Sequence, residues 1–399
     1  MNVLLISSSS GSRGGGEIYL ARLAEGLVGL GHRVGVLMST APVMDELAAA
    51  IEPYGTVHRL PLRNTYDRRS RGLGAVADHD QQRRVAQFIG ALAPDVVHVN
   101  QQVAEDGLDL VLAAERARVP YLTTIHVTHA AQSLGAKFGV VRDLVTWQLF
   151  ARIKARHVVV ADQARRDLAA WLGSDIAKRL HVVHNGVRPV IDGQAVAARS
   201  AVRSEWGVAH DQVVLGCVGR IEEQKNPLFA FAIAAAAKAD NIPVKLVWIG
   251  DGALRRTMEE HAASQDASAL LHIDGWRNDV ARRLPAFDIF LIPSKFEGLP
   301  LALLEGMWAG LPAIVSDVDA MPEAINDGVN GFVCPPDDLP RWREAVSRLA
   351  TDPALRHRMG FAAAAVARER FGLGVRAAKT LDLYRAAVGG SVREKSAVA

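Results

Sequence analysis

Short apolar runs alternate with longer amphipathic stretches along the sequence, and halfway through the alternation starts afresh. The runs at 3–6, 34–38, 96–99, 121–125 and 158–160 read as buried strands, as do those at 213–218, 244–249, 270–273, 289–292 and 313–315. Stretches such as 17–30 and 227–239 lie between them and carry helical spacing. Apolar strands separated by helices imply parallel sheets covered on both faces, so the expected class is α/β. Ligands then sit at the carboxyl ends of the strands.

The restart divides the chain. Residues 181–186 close a strand with an Asn-Gly turn signal, and 187–198 contain proline and alanine without strong periodicity. A chain of 399 residues is comfortable for two domains. A formal charge of +3 gives a nucleic-acid partner little support. The opening Met1-Asn2-Val3-Leu4-Leu5-Ile6 lacks a basic n-region and a long apolar core, so it reads as a first strand and not as a signal peptide. No apolar run reaches the roughly 18–20 residues that span a bilayer, so any membrane contact is expected to be peripheral. Cys217 and Cys334 lack a metal-type spacing and read as reduced thiols, which fits a cytoplasmic setting.

Three segments carry chemistry. Ser7-Ser8-Ser9-Ser10-Gly11-Ser12-Arg13-Gly14-Gly15-Gly16-Glu17 joins a strand to a helix. Such a turn either is merely flexible or lets backbone N–H groups approach an anion. It matches neither the dinucleotide fingerprint nor the P-loop. Gly219-Arg220-Ile221-Glu222-Glu223-Gln224-Lys225-Asn226-Pro227 also follows a strand and opens a helix. Arg220, Lys225 and a helix N-terminus suit a diphosphate, though a solvated charged loop would look the same. Pro293-Ser294-Lys295-Phe296-Glu297-Gly298-Leu299-Pro300 leads into a helix carrying Glu305 in an apolar stretch. A carboxylate there needs a partner, either a salt bridge or ligand hydroxyls, and Gly298 and Leu299 are placed to offer backbone N–H groups.

The spacing E-x7-E from Glu297 to Glu305, with G-R-x4-K at Arg220 and Lys225, resembles the signature of retaining glycosyltransferase family 4. Further pieces run in family order over nearly the whole chain: Gly-Gly-Gly-Glu, Gly31-His32-Arg33-Val34, His184-Asn185-Gly186-Val187, Gly250-Asp251-Gly252, Asp274-Gly275-Trp276, Met321-Pro322-Glu323 and Asp327-Gly328-Val329-Asn330-Gly331. Two positions depart from the pattern. Val318-Asp319-Ala320-Met321 stands where the family often has two glycines before Pro-Glu, and Asn100 stands where a histidine commonly closes an Asp-Val-Val-His-Val run.

The resemblance implies the GT-B fold, two Rossmann-like domains facing across a cleft. The acceptor domain is expected at 1–187 and the nucleotide-sugar domain at 188–374. A helix at 375–389 would cross back to the first domain, and 390–399 would form a frayed tail. The implied activity is retaining transfer of a hexose-type sugar from a nucleotide-diphosphate sugar to a glycan, lipid-linked or small-molecule acceptor. Carried over by position, Arg220 and Lys225 neutralise the diphosphate and Glu305 holds ribose hydroxyls. Glu297 contacts the donor sugar with the Gly298 and Leu299 N–H groups nearby, and Gly15 and Gly16 close over the phosphates. His126, with His129 as a competitor, meets the sugar or acceptor. No paired Asp-x-Asp motif appears, so no metal or cofactor is expected. The rivals are a nucleotide-sugar epimerase, a pyridoxal-phosphate phosphorylase and a non-catalytic subunit. Arg63, Arg68, Arg69, Arg71, Arg83 and Arg84, and then Arg152, Lys154 and Arg156 after the amphipathic stretch 140–150, read either as solvated basic faces or as a surface for anionic headgroups at the inner membrane face.

Overall fold

The computed structural model describes residues 1–8, 11, 14–133, 135–189 and 195–397. They form two compact units, one of Met1–Gly186 with Leu373–Ala399 and one of Val187–Gly372. Ser9, Ser10, Ser12 and Arg13 of the glycine-rich segment lie outside the described residues, as does 190–194 of the connector.

The first unit holds a parallel sheet of seven strands: β1 (Asn2–Ser7), β2 (Arg33–Ser39), β3 (Thr56–Leu60), β4 (Val96–Val103), β5 (Tyr121–Val127), β6 (Arg156–Val159) and β7 (Leu180–Val182). Their order is β3-β2-β1-β4-β5-β6-β7. The second unit repeats the plan with six strands: β8 (Val213–Val218), β9 (Val244–Ile249), β10 (Leu271–Gly275), β11 (Ile289–Ile292), β12 (Ala313–Ser316) and β13 (Gly331–Cys334), ordered β10-β9-β8-β11-β12-β13. The central strands are apolar on both faces because helices cover both. Leu4, Leu5 and Ile6 of β1 and Val214 and Leu215 of β8 are fully buried.

Each sheet reverses its order at its first strand. β1 pairs with β2 and β4, and β8 pairs with β9 and β11. Connections leave such a strand pair in opposite directions, which opens a crevice at the carboxyl ends. The helix Gly15–Gly29 follows β1 and buries Tyr19, Leu20, Leu23, Ala24 and Leu27 at helical spacing. The helix Pro227–Ala239 follows β8, with Pro227 in its first turn. After β11 comes the helix Leu301–Trp308, where a Cβ on Gly306 would stand 2.5 Å from the Phe290 ring. Only glycine lets that helix lie so close to its strand.

Three expectations change. β3 and β13 are strands that the apolar runs do not show: both are edge strands, β3 with a mixed sequence and β13 only four residues long. The glycine-rich helix begins at Gly15, not Glu17. The final helix spans Leu373–Ala397, longer than the 375–389 expected, and the frayed tail from 390 is instead helical to Ala397; the segment carries no proline to stop it.

Candidate functional site

The loops that leave β8 and β11 are the two charged segments singled out in the second half of the sequence, and they lie at the switch point of the second sheet. They are stitched together. The Lys295 N–H donates to the Gln224 carbonyl at 2.8 Å, and Gln224 Nε2 donates to the Phe296 carbonyl at 3.0 Å. Lys295 also pairs with Glu223. This lacing brings Lys225 and Glu297, which are 72 residues apart in sequence, into a direct ion pair. Glu297 is buried, and its own N–H donates to Asp319 Oδ2 at 2.6 Å.

The first loop is shaped by backbone contact. Trp248 Nε1 donates to the Gly219 carbonyl at 2.8 Å, and a Cβ on Gly250 would stand 1.9 Å from that same oxygen. Gly250 also sits at φ +146, so both sterics and conformation demand glycine. Asn226 caps the following helix in the left-handed conformation, and its Nδ2 donates to Asp337 Oδ1 at 2.9 Å.

Arg220 does not join the Lys225–Glu297 pair. Its side chain is 58% exposed and pairs with Glu222 at 2.7 Å. Gly298 and Leu299 precede the helix Leu301–Trp308, whose N-cap is Pro300, so their N–H groups belong to the approach and not to the first turn. Glu305 is half-buried within that helix.

The first unit builds a different environment at its own switch point. Asn100 on β4 pairs in register with Ser7 of β1, and His126 lies one residue before the end of β5. Asn100 Nδ2 donates to the Gly16 carbonyl at 3.1 Å, which turns its Oδ1 towards His126 Nε2 at 2.8 Å. Nε2 therefore carries the ring proton, and Nδ1 is left as an acceptor. Burial, and then the Arg376 guanidinium, pushes the His126 imidazole down to about 3. The Tyr19 ring stands edge-on to His126 at 4.5 Å. Tyr19 and His98 share Thr124 Oγ1, at 2.9 and 2.7 Å, and His98 Nδ1 meets the Tyr384 hydroxyl at 2.7 Å. Arg376, buried, lies over the Tyr19 ring at 3.6 Å. The last helix thus packs its polar side chains into the same network. His129 is half-buried after β5.

Gly15 is exposed and Gly16 buried in the first turn of their helix, where N–H groups have no intrahelical partner. Glu17 shares that turn and accepts from Gln102 Nε2 at 3.0 Å. One member of the basic segment is corrected: Arg68 is no surface cation. It is buried between Asp78 at 2.6 Å and Asp109 at 3.1 Å, because a buried guanidinium is tolerable only when paired.

Sequence reasoning missed Asp319, Gln224, Tyr19, His98 and Arg376. Asp319 had left a signal, since it departs from the glycine pattern. It sits at φ +46, a conformation that Asp tolerates better than most residues, and it adds a carboxylate that glycine lacks. Tyr19 and Arg376 left none.

Comparison with known proteins adds to this geometry. Residues 198–366 match the family model described as Glycosyl transferases group 1, and residues 13–190 match Glycosyltransferase Family 4. The chain is 30% identical over 267 residues to the UDP-Gal:alpha-D-GlcNAc-diphosphoundecaprenol alpha-1,3-galactosyltransferase of Escherichia coli, covering 65% of this chain and 67% of that one. It is 27% identical to the D-inositol 3-phosphate glycosyltransferase of Kribbella flavida, over 95% of this chain and 92% of the relative. Among solved structures, Anabaena HepE in complex with UDP and glucose shares the fold at a TM-score of 0.77 and 19% identity, over 97% of this chain and 100% of that one. WaaG, a glycosyltransferase involved in lipopolysaccharide biosynthesis, does so at 0.69 and 17%, over 96% and 99%.

Proposed function

The chain belongs to the group 1 glycosyltransferases, with the GT-B fold, and from that premise we propose that it moves a hexose-type sugar from a nucleotide-diphosphate sugar to a lipid-linked glycan intermediate with retention of configuration. The observation that carries the reading is the Lys225–Glu297 pair at the switch point of the second sheet. A cation and a carboxylate held there suit a diphosphate and the hydroxyls of the sugar attached to it. The donor reading draws on HepE, solved with UDP and glucose, and the acceptor reading on the Escherichia coli relative, named for a diphosphoundecaprenol substrate.

In this proposal Lys225 and Arg220 take up the negative charge that grows on the diphosphate as it leaves. That interaction strengthens towards the transition state. The sugar C1–O(phosphate) bond breaks, and a C1–O(acceptor) bond forms on the same face. The acceptor proton passes to the departing phosphate oxygen. Glu297 orients the sugar, Glu305 the ribose, and the Gly298 and Leu299 N–H groups approach the donor. In the first unit, Gly15 and Gly16 approach the phosphates and His126 positions the sugar or acceptor. The cationic side chains replace a divalent ion, so transfer is metal-independent.

A panel of nucleotide sugars, scored for donor hydrolysis and for transfer to a lipid-diphosphate acceptor, tests the reading. Hydrolysis and transfer that survive excess EDTA, with an α-configured product from an α-configured donor, are expected. Loss with EDTA that manganese restores would overturn the metal-free part. Donor isomerised without an acceptor would replace transfer with epimerisation.

A further inference from the structure

The helix Gly139–Arg152 turns apolar side chains to solvent along one stripe. Val140, Val141, Leu144 and Trp147 are 43 to 61% exposed, and Phe138, just ahead of the helix, is 80% exposed. These positions follow one helical face, while Thr146 and Phe150 on the opposite side are buried. The inward face is already packed, so the outward stripe adds nothing to the unit's own core. Contiguous exposed apolar surface of this kind marks an interaction site.

The surrounding charge selects the occupant. The helix has one acidic residue, Asp143, and its two oxygens accept from the Ala131 N–H at 2.7 Å and the Gln132 N–H at 3.0 Å. Arg142 is taken by Glu105. On the helix and at its two ends the charges left in solvent are basic, with Lys137 at one end and Arg152 and Lys154 at the other; of the acids on the neighbouring elements, Asp175 pairs with Lys178 at 3.0 Å and Asp67 is exposed. The helix Arg71–Ala77, preceded by exposed Arg69, packs beside this one. A second copy of the chain on this face would bring like charges together. An anionic lipid surface would take both parts: the Phe138 and Trp147 rings enter the acyl boundary, and the ammonium and guanidinium groups meet phosphates.

We infer that Phe138 and the outer stripe of Gly139–Arg152 form the surface by which this chain seats on an anionic bilayer, an assignment that rests on the lipid-linked acceptor proposed above. The helix lies flat in the membrane surface and does not cross it. No helix among the described residues is long and apolar enough to cross.

Co-sedimentation of the full chain with vesicles tests this. Binding is expected to phosphatidylglycerol–phosphatidylethanolamine vesicles, to weaken with salt, and to be much lower on phosphatidylcholine. Combining Phe138→Ser, Val141→Ser and Trp147→Ser should lower partitioning by on the order of tenfold or more, with an unchanged melting temperature. Combining Lys137→Glu, Arg152→Glu and Lys154→Glu should do the same through charge alone. Vesicle binding that neither set weakens overturns the inference. So does a parent chain that ignores vesicles yet sediments as a dimer that the apolar set dissolves. Both variants should hydrolyse donor in solution like the parent. A parent that binds vesicles but turns over no nucleotide sugar counts against the transferase reading and leaves this surface standing.

Discussion

Around Lys225 and Glu297 the second unit gathers formal charges whose cations stay partly wetted, whereas around His126 the first unit gathers mostly neutral polar groups, with the Arg376 guanidinium among them, sealed from water. Lys225 is 18% exposed and Arg220 58%, so both can change partners when an anion arrives. His98, His126 and Thr124 cannot, because each is buried and already bonded. One region is built to respond to charge and the other to hold a shape. Substitutions in the first should therefore register in turnover, and changes to the second should also register in stability.

The largest effect is expected at the ion pair. Lys225→Ala should lower transfer by about 10²- to 10³-fold and weaken nucleotide-diphosphate binding in calorimetry, with little change in melting temperature. Normal turnover would remove the electrostatic half of the contrast.

Acid should separate the units next. Burial holds His98, His126 and His157 down to about 3, so the unfolded chain takes up protons first as the pH falls below 6.5, and stability is lost from there towards 3. Asp106 and Asp109, raised by burial to about 6 from 3.8, act oppositely: they disfavour the fold above pH 6 and relieve it as the pH falls to 3.8. At pH 5 the three rings, each held further from its ordinary value than either carboxyl, withdraw more than the two carboxyls return, a net loss. All five groups lie in the first unit, and the described residues of the second include no buried histidine. Hydrogen exchange at pH 5 against pH 7.5 should rise more in β4 and β5 than in β8 and β9. Equal rises would erase the distinction.

His126→Ala should lower transfer by about 10²-fold through lost positioning while nucleotide-diphosphate affinity stays near that of the parent. Loss of that affinity would mean that the two regions do not divide the work as proposed. If neither quantity changes, His126 is structural and His129 becomes the better candidate.

The smallest effect sharpens the role of Asp319. Asp319→Ala should destabilise by about 1–2 kcal/mol, because alanine resists the left-handed backbone. Asp319→Gly keeps the backbone and removes the carboxylate that accepts from the Glu297 N–H. A few-fold fall in kcat with unchanged melting in the glycine variant would assign the effect to the carboxylate and not to the backbone.

What the sequence revealed follows the same division. Central strands such as β1 and β8 were legible because burial on both faces leaves an unbroken apolar run. The edge strand β3, Thr-Val-His-Arg-Leu, was not, since most of it is only half-buried. The residue types of the charged site were legible, but the pairing of Lys225 with Glu297 was not: it depends on two loops meeting where the strand order reverses. The network around His126 was the least legible. Tyr19 looks like any helix-face aromatic, and Arg376 like any helical cation, until the last helix docks.

That docking also has a consequence for synthesis. The second unit is an insertion within the first, which resumes only at Leu373. All seven strands of the first sheet leave the ribosome before the helix that covers Tyr19 and His98. At about 5–20 residues per second the wait lasts on the order of ten seconds or more. For that time the nascent first unit shows an unfilled apolar and polar seam along Gly15–Gly29 and β4, where a chaperone can bind until the chain's own last helix takes its place.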